Sequence, residues 1–431
     1  MGIWTRVGLL GSMFYYMHRK RTVYADHVGG GEKRRRDRDD HWRDGTNRFH
    51  DYELKLVQVM FRHGARTPLK PIPHKEQVEW PSSILDAPER TQFNYIVTSL
   101  TGGPQPPSSL EERYRSTTLK GGTFAGQLTT VGMMQMFRLG ERLRQSYVEE
   151  QNFLSPVFKP SEVFVRSTNV VRNMESTRCL LAGLFQQKQD GPVTVVTTET
   201  MNEILYPNYD SCRGLKQLTK NRMSDASMQP GMSDELKNIQ QEMGIEMDDK
   251  SGFFLLFDNL HAQEVHGLSG TPRLKKLLHR TERRVIDIVS YVMENREHLQ
   301  MSVGPFLHTI QQNILEVVES SIQPKQSRKL FLYAVHDVTI IPILMALGIF
   351  DKKWPPYASN LTLELYQHKY SQEWYARLCY NGEEQVVRGC RSALCPLEDF
   401  LRAISRYILT SKEYQEICSR SDVAQEEEKK V

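Results

Sequence analysis

Nowhere in its 431 residues does the sequence hold a run of about 18 uninterrupted apolar positions, which excludes an ordinary bilayer-spanning helix. Its six cysteines are too few for a small disulfide scaffold, and no CxxC pair supplies a common zinc or redox spacing. Excess charge is also scarce where it would matter. The formal net charge is +4, but residues 1–48 carry eleven Lys/Arg against six Asp/Glu, which leaves 45 basic and 46 acidic residues, a net of −1, in the rest. A body at −1 offers no basic surface, so nucleic-acid binding is set aside. There is no internal repeat. What is present, 39% hydrophobic and 25% charged residues, suits a globular protein with one large domain or two smaller ones.

The amino-terminal segment reads as a targeting leader over residues 1–25. No acidic residue precedes Asp26, basic Arg6, Arg19, Lys20 and Arg21 frame the apolar run Val7–Met17, and Val23-Tyr24-Ala25 resembles a cleavage site. The basic cluster follows the apolar run, where a secretory signal would place it before. An acid-free, Arg-bearing leader fits a mitochondrial transit peptide better, with the secretory pathway as the alternative. Residues 26–50, with GGG and KRRRDRDD, read as a solvated linker, and 421–431 as a polar tail.

Between them, strand and helix patterns alternate. Leu54–Met60, Glu162–Val165, Val193–Thr198 and Leu330–Val335 are strand-like, the first and last apolar enough for a buried parallel sheet. Helical patterns cover 128–148, 170–185 and 339–347, and Leu361–Tyr366 and Tyr375–Tyr380 read as closing strands. Residues 68–122, rich in Pro and Gly, read as loop. From about 205 to 325 helical patterns dominate, notably 233–243, 272–298 and 303–320. The expected fold is therefore α/β, a mostly parallel sheet flanked by helices with a helical cap inserted, over residues 51–420.

Chemistry concentrates at three strand ends. After the first strand comes Arg62-His63-Gly64-Ala65-Arg66-Thr67-Pro68, two guanidiniums around an imidazole, with a glycine that lets backbone approach a ligand. Guanidiniums match phosphate oxygens in a bidentate fork. The five fixed positions of RHGxRxP arise by chance in such a chain with probability on the order of 10⁻⁴. The second strand end supplies Arg166 and the fourth His336-Asp337. Singly, Arg166 reads as an acid's partner and His336 as a core histidine. Together, at the carboxyl edge of a parallel sheet, they point to phosphate chemistry.

RHGARTP, the later RST and the HD dipeptide resemble the histidine acid phosphatase branch of the histidine phosphatase superfamily, and the likeness runs over roughly residues 52–418. The resemblance implies a histidine-phosphatase-like fold and a monomeric, cofactor-free phosphomonoesterase. It makes His63 the nucleophile that forms a phosphohistidine, Asp337 the proton donor, and Arg62, Arg66, Arg166 and His336 the phosphate ligands. It alone implies a single-chain lysophospholipid, lysophosphatidate, as the small-molecule substrate. Secreted members hold a disulfide in a similar GC…CP element, so the resemblance allows a Cys390–Cys395 bridge, which five-residue spacing permits without demanding, and leaves its oxidation state open. Cys179, Cys212, Cys379 and Cys418 read as unpaired.

Other readings carry less. His261-Ala-Gln-Glu264-Val-His266 matches neither HExxH nor HxxEH and reads as an ordinary polar segment, so no metal is expected. Trp80, Phe93, Tyr95, Phe253, Phe254 and Phe257 are candidates for an acyl pocket, although each reads more simply as core. A sugar-phosphate phosphatase of the same fold, a phospholipid-binding pseudoenzyme and a metallohydrolase are the competing functions. Intact His63, Asp337 and arginines weigh against the second, and the missing ligand cluster against the third.

Overall fold

The first strand, β1 (Tyr52–Arg62), is buried from Leu56 to its end. A continuous apolar run buries both faces of a strand, and here alternate residues enter two separate cores. Leu56 and Met60 pack on one side and Val57, Val59 and Phe61 on the other. The polar exception, Gln58, donates to the Ile310 carbonyl at 3.0 Å and accepts from Asn313 at 2.7 Å. The computed structural model describes residues 50–74, 76–186, 188–245, 252–268, 271–321 and 328–419. The leader expected over 1–25, the tail over 421–431 and, save for His50, the linker over 26–50 lie outside the described residues. Contacts divide the chain into two units, Met1–Glu53 and Leu54–Val431. In the first, His50 and Asp51 pair at 3.3 Å.

The elements after β1 are β2 (Tyr95–Ser99), α1 (Ser109–Arg115), α2 (Thr130–Arg144), β3 (Val163–Ser167), α3 (Val171–Phe185) and β4 (Val193–Thr197). Five helices follow: α4 (Arg213–Ser227), α5 (Met232–Met243), α6 (Gly252–Val265), α7 (Pro272–Met293) and α8 (Arg296–Ser320). The chain continues through β5 (Leu330–Val335), α9 (Asp337–Leu347), β6 (Asn360–His368), β7 (Trp374–Tyr380), β8 (Glu383–Gln385) and β9 (Leu394–Pro396). It ends in α10 (Leu397–Ser405) and α11 (Ser411–Ser419). Strand order is β2-β4-β3-β5-β1-β6-β7-β8, with β9 also on β7. The pairs β2–β4, β4–β3, β3–β5 and β5–β1 are parallel, while β6–β7, β7–β8 and β7–β9 are antiparallel. The fold is thus mixed α/β with a mostly parallel sheet, as expected. Arg62 lies opposite Val335 and Ser167 opposite Ala334, so three strands end side by side at one edge.

Several boundaries differ from the sequence expectation. Residues 68–122 are not all loop: YIVTS forms β2, a half-exposed strand paired with β4, and Ser108 caps α1 through its side chain. The helix expected over 128–148 ends at Arg144 and passes into a π-helical turn, Gln145–Glu150. The break expected between 298 and 303 falls earlier. Asn295 accepts from the Glu297 and His298 amides and starts α8, which then runs through Pro305.

Candidate active site

The RHG segment leaves β1 pressed against the first turn of α2. A Cβ on Gly64 would stand 2.3 Å from the Gly132 carbonyl oxygen, and one on Gly132 would stand 2.1 Å from that of Ala65. Only glycine fits at both positions. The Gly64 amide donates to Ser176 Oγ at 3.1 Å, the Ala65 amide to Gln135 Oε1 at 2.8 Å, and the Thr129 amide to the Ala65 carbonyl at 3.0 Å. The loop that carries His63 is thereby fixed on two helices.

His63 is buried, with its ring centroid 5.7 Å from that of His336 and 5.9 Å from that of Tyr357. Its Nδ1 lies 2.9 Å from the Gly64 carbonyl, an acceptor only, so Nδ1 carries the proton and Nε2 the lone pair. Burial lowers the His63 pKa well below the usual range, and Arg172, Arg62 and Arg66 push it further. His336, on the residue after β5, contacts Thr168 Oγ1 through Nε2 at 3.0 Å. Burial, then Arg172, brings its pKa to about 3. Both imidazoles are uncharged in mild acid.

Around them stand three guanidiniums. Arg62 donates to the Pro355 carbonyl, pairs through Nη2 with Asp337 Oδ2 at 2.7 Å, and lies 4.2 Å over the Tyr357 ring. Arg66 donates to the Thr67 carbonyl at 3.1 Å and pairs with Asp258 at 2.8 Å. Arg172, in the first turn of α3, reaches the Tyr114 hydroxyl at 3.3 Å. The Nε of all three, and Nη1 of Arg172, are buried without a hydrogen-bond partner among the described residues. Buried donors left open in this way are costly unless an anion completes them. Asp337 also accepts from Trp354 Nε1 at 3.2 Å. Its burial favours the neutral carboxyl, but Arg62, Arg66 and His336 outweigh this and hold the pKa below the usual range.

Arg166 was expected here, and the structure places it elsewhere. Its Nη2 pairs at 3.1 Å with buried Glu203, whose Oε1 also accepts the Ile204 and Leu205 amides at 2.8 and 2.7 Å. It lines neither cavity at the site, whereas Arg172 lines one together with His63 and His336. Arg172 lies six residues on in RSTNVVR, where the helix following a strand starts at the sheet's ligand edge. The two arginines should separate experimentally. Arg172→Met is expected to lower kcat/KM for any phosphomonoester about 10²–10³-fold. Arg166→Met leaves Glu203 buried and unpaired, and should instead cost about 3–5 kcal/mol of stability. Steady-state assays beside thermal melts check both.

Other residues that read as inert in the sequence have partners in the fold. Cys212 and Cys418 are joined in a disulfide, with Cα atoms 4.8 Å apart, across a separation of 206 residues that no local pattern announces. Cys390 and Cys395 are also bonded, and Cys179 and Cys379 are free. HAQEVH is not a plain polar segment but part of α6 and its C-terminal end, with His261 lining the site cavity beside Arg62 and Asp337. No group of three or more His, Cys, Asp or Glu among the described residues could hold a metal ion. Of the aromatic candidates, Phe254 and Phe257 line that cavity, Phe253 lines a further one, and Trp80 lines neither.

Strand-end imidazoles, guanidiniums and a carboxylate on a mostly parallel sheet define the class: a phosphatase of the histidine type. The chain belongs to the histidine phosphatase superfamily (branch 2), whose family model matches residues 53–388. It is 52% identical over 425 residues to lysophosphatidic acid phosphatase type 6 of Homo sapiens, covering 98% of this chain and 97% of that protein. To the Mus musculus protein of the same name it is 49% identical, covering 99% of each. Identity to Homo sapiens lysosomal acid phosphatase is 26%, covering 85% and 80%. Among solved structures, Hafnia alvei phytase in complex with tartrate aligns with TM-score 0.54 at 15% identity, covering 84% of this chain and 98% of that one, a likeness of fold.

Proposed function

We propose that the chain hydrolyses lysophosphatidate to monoacylglycerol and phosphate through a phosphohistidine on His63. The supporting observation is a cavity of about 260 Å³ lined by Arg62, Arg66 and Asp337 and also by Phe254, Phe257 and Met223, which shares Arg66 and Asp337 with the cavity that holds His63. Phosphate-binding and apolar side chains thus line one cavity, as a phosphate monoester of a single-chain lipid requires. Beyond Met223 and Phe254, which border both, lies a further cavity of about 240 Å³ with Met228, Met232, Leu236 and Phe253. Methionines adapt to chains of differing shape. The names of the two relatives at 52% and 49% identity support the same substrate.

In this mechanism His63 Nε2 attacks phosphorus in line, and the bond to the leaving oxygen breaks. Arg62, Arg66 and Arg172 take the charge on the phosphoryl oxygens, and Asp337 gives the departing alkoxide its proton. Water then attacks the phosphohistidine and yields phosphate, returning a proton to Asp337 and the free lone pair to His63.

The test is phosphate release from lysophosphatidates of increasing chain length against glycerol 3-phosphate. Rates should climb with length, by at most about fourfold in kcat/KM per buried methylene. Met223→Trp, which blocks the junction, should make the climb stop at a shorter chain. Equal rates for glycerol 3-phosphate and long-chain substrates would sink the lipid reading.

A further inference from the structure

Two histidines of α6 and its end behave differently. His266 is fully occupied: Nε2 meets Thr129 Oγ1 and Nδ1 meets the Ala262 carbonyl, both at 2.7 Å, and the ring stands edge-on to Trp80 at 5.2 Å. His261 is clamped between the rings of Phe257, at 5.3 Å, and Tyr357, at 4.9 Å. Its Nε2 is buried and has no hydrogen-bond partner among the described residues. A phenyl ring would stack there equally well, without a polar atom to satisfy. Of the other polar groups of the same wall, Trp354 Nε1 is engaged on Asp337, Thr219 on His298, and Asp258 on Arg66 and the Leu69 amide, while the open Nε atoms of Arg62 and Arg66 belong to the phosphate end. Burial, then Arg62 and Arg66, brings the His261 pKa to about 3, so the ring is neutral and can donate or accept without adding charge.

We propose that His261 Nε2 hydrogen-bonds the polar part of the leaving alcohol, the hydroxyl or ester oxygen of a glycerol-type backbone, and is a specificity-determining residue. The inference rests on the lipid reading above. Asp337 and Arg66 line both the cavity that holds His63 and the one that His261 lines, and on the lipid reading the atoms beyond the ester oxygen enter the latter. A glycerol backbone has oxygen there, and a plain alkyl phosphate has only methylenes. A neutral hydrogen bond of this kind is worth up to about tenfold in binding.

The experiment compares kcat/KM for a lysophosphatidate and an alkyl phosphate of equal chain length in the full chain, His261→Phe and His261→Gln. Each ratio is internal to one preparation, so a poorly folded fraction does not affect it. The expected result is a wild-type preference for the lysophosphatidate that falls about tenfold in His261→Phe, through KM, and returns in large part in His261→Gln. A ratio unmoved by His261→Phe, with both substrates slowed alike, assigns His261 to packing and overturns the inference alone. If wild-type protein cleaves p-nitrophenyl phosphate but neither lipid, the lipid reading falls and this inference with it.

Discussion

His63→Ala is expected to abolish phosphate release, with a loss of about 10⁴-fold or more for every phosphomonoester and no burst of phosphoenzyme. The reason is geometric. The Gly64 carbonyl claims the Nδ1 proton of His63, so its Nε2 keeps the lone pair that attacks phosphorus. Its lowered pKa keeps that lone pair unprotonated in acid, where an ordinary histidine would be a cation. His336 is the competing imidazole. Its Nε2 is engaged by Thr168, and it stands at the helix start among residues that hold rather than attack. His336→Ala should therefore slow turnover about 10²-fold yet still trap an acid-labile, base-stable phosphoryl label. Rapid quench with radiolabelled substrate separates the two. A label retained in His63→Ala and lost in His336→Ala would exchange their roles. Release by the unmodified protein should persist in excess EDTA, and a loss there would revive a metal-dependent reaction.

What the sequence made legible was local. The RHGARTP loop, the HD dipeptide and the buried strands before them are short motifs whose physics lies within a few residues, and β1, β5 and α9 appear where the patterns put them. What it hid depended on distant partners. Arg166 looked like Arg62, a guanidinium at the end of a buried strand, until Glu203 came across from another loop to pair with it. Arg172 lay in a helical pattern and looked like a helix residue, although the first turn of a helix after a parallel strand faces the ligand edge. The Cys212–Cys418 bond joins the start of α4 to α11 and has no spacing signature. His261 was hidden by the opposite error. Tested only against metal-binding spacings, it failed them, and its actual surroundings come from Tyr357, almost a hundred residues away.

Asp337→Asn is expected to separate substrates by their leaving groups. An alkoxide departs poorly without a proton, whereas p-nitrophenolate leaves readily as an anion. The variant should lose about 10³-fold in kcat on lysophosphatidate, within the usual range for a general acid, and at least tenfold less on p-nitrophenyl phosphate. KM should not rise, because Arg62 loses the carboxylate that occupies its Nη2 at 2.7 Å and is left free for phosphate. Equal losses on both substrates would remove Asp337 from the proton-donor role. The pH dependence follows from the same ion pair. In the free protein Asp337 is ionised above its lowered pKa, so the required proton must arrive with the substrate, as the phosphate monoanion present below about pH 6. There the monoanion facing ionised Asp337 and the dianion facing protonated Asp337 hold the same number of protons, and binding moves the proton onto the carboxyl as phosphate takes over Arg62. Above about pH 6 that proton is missing, and kcat/KM should fall roughly tenfold per pH unit. Below pH 6 it should stay level through the range where an ordinary histidine titrates, because burial and the nearby arginines lower the His63 pKa and delay protonation of the nucleophile. A maximum on the alkaline side, or a fall beginning just below pH 6.5 as an unperturbed histidine gives, would contradict the charge arrangement around His63 and Asp337.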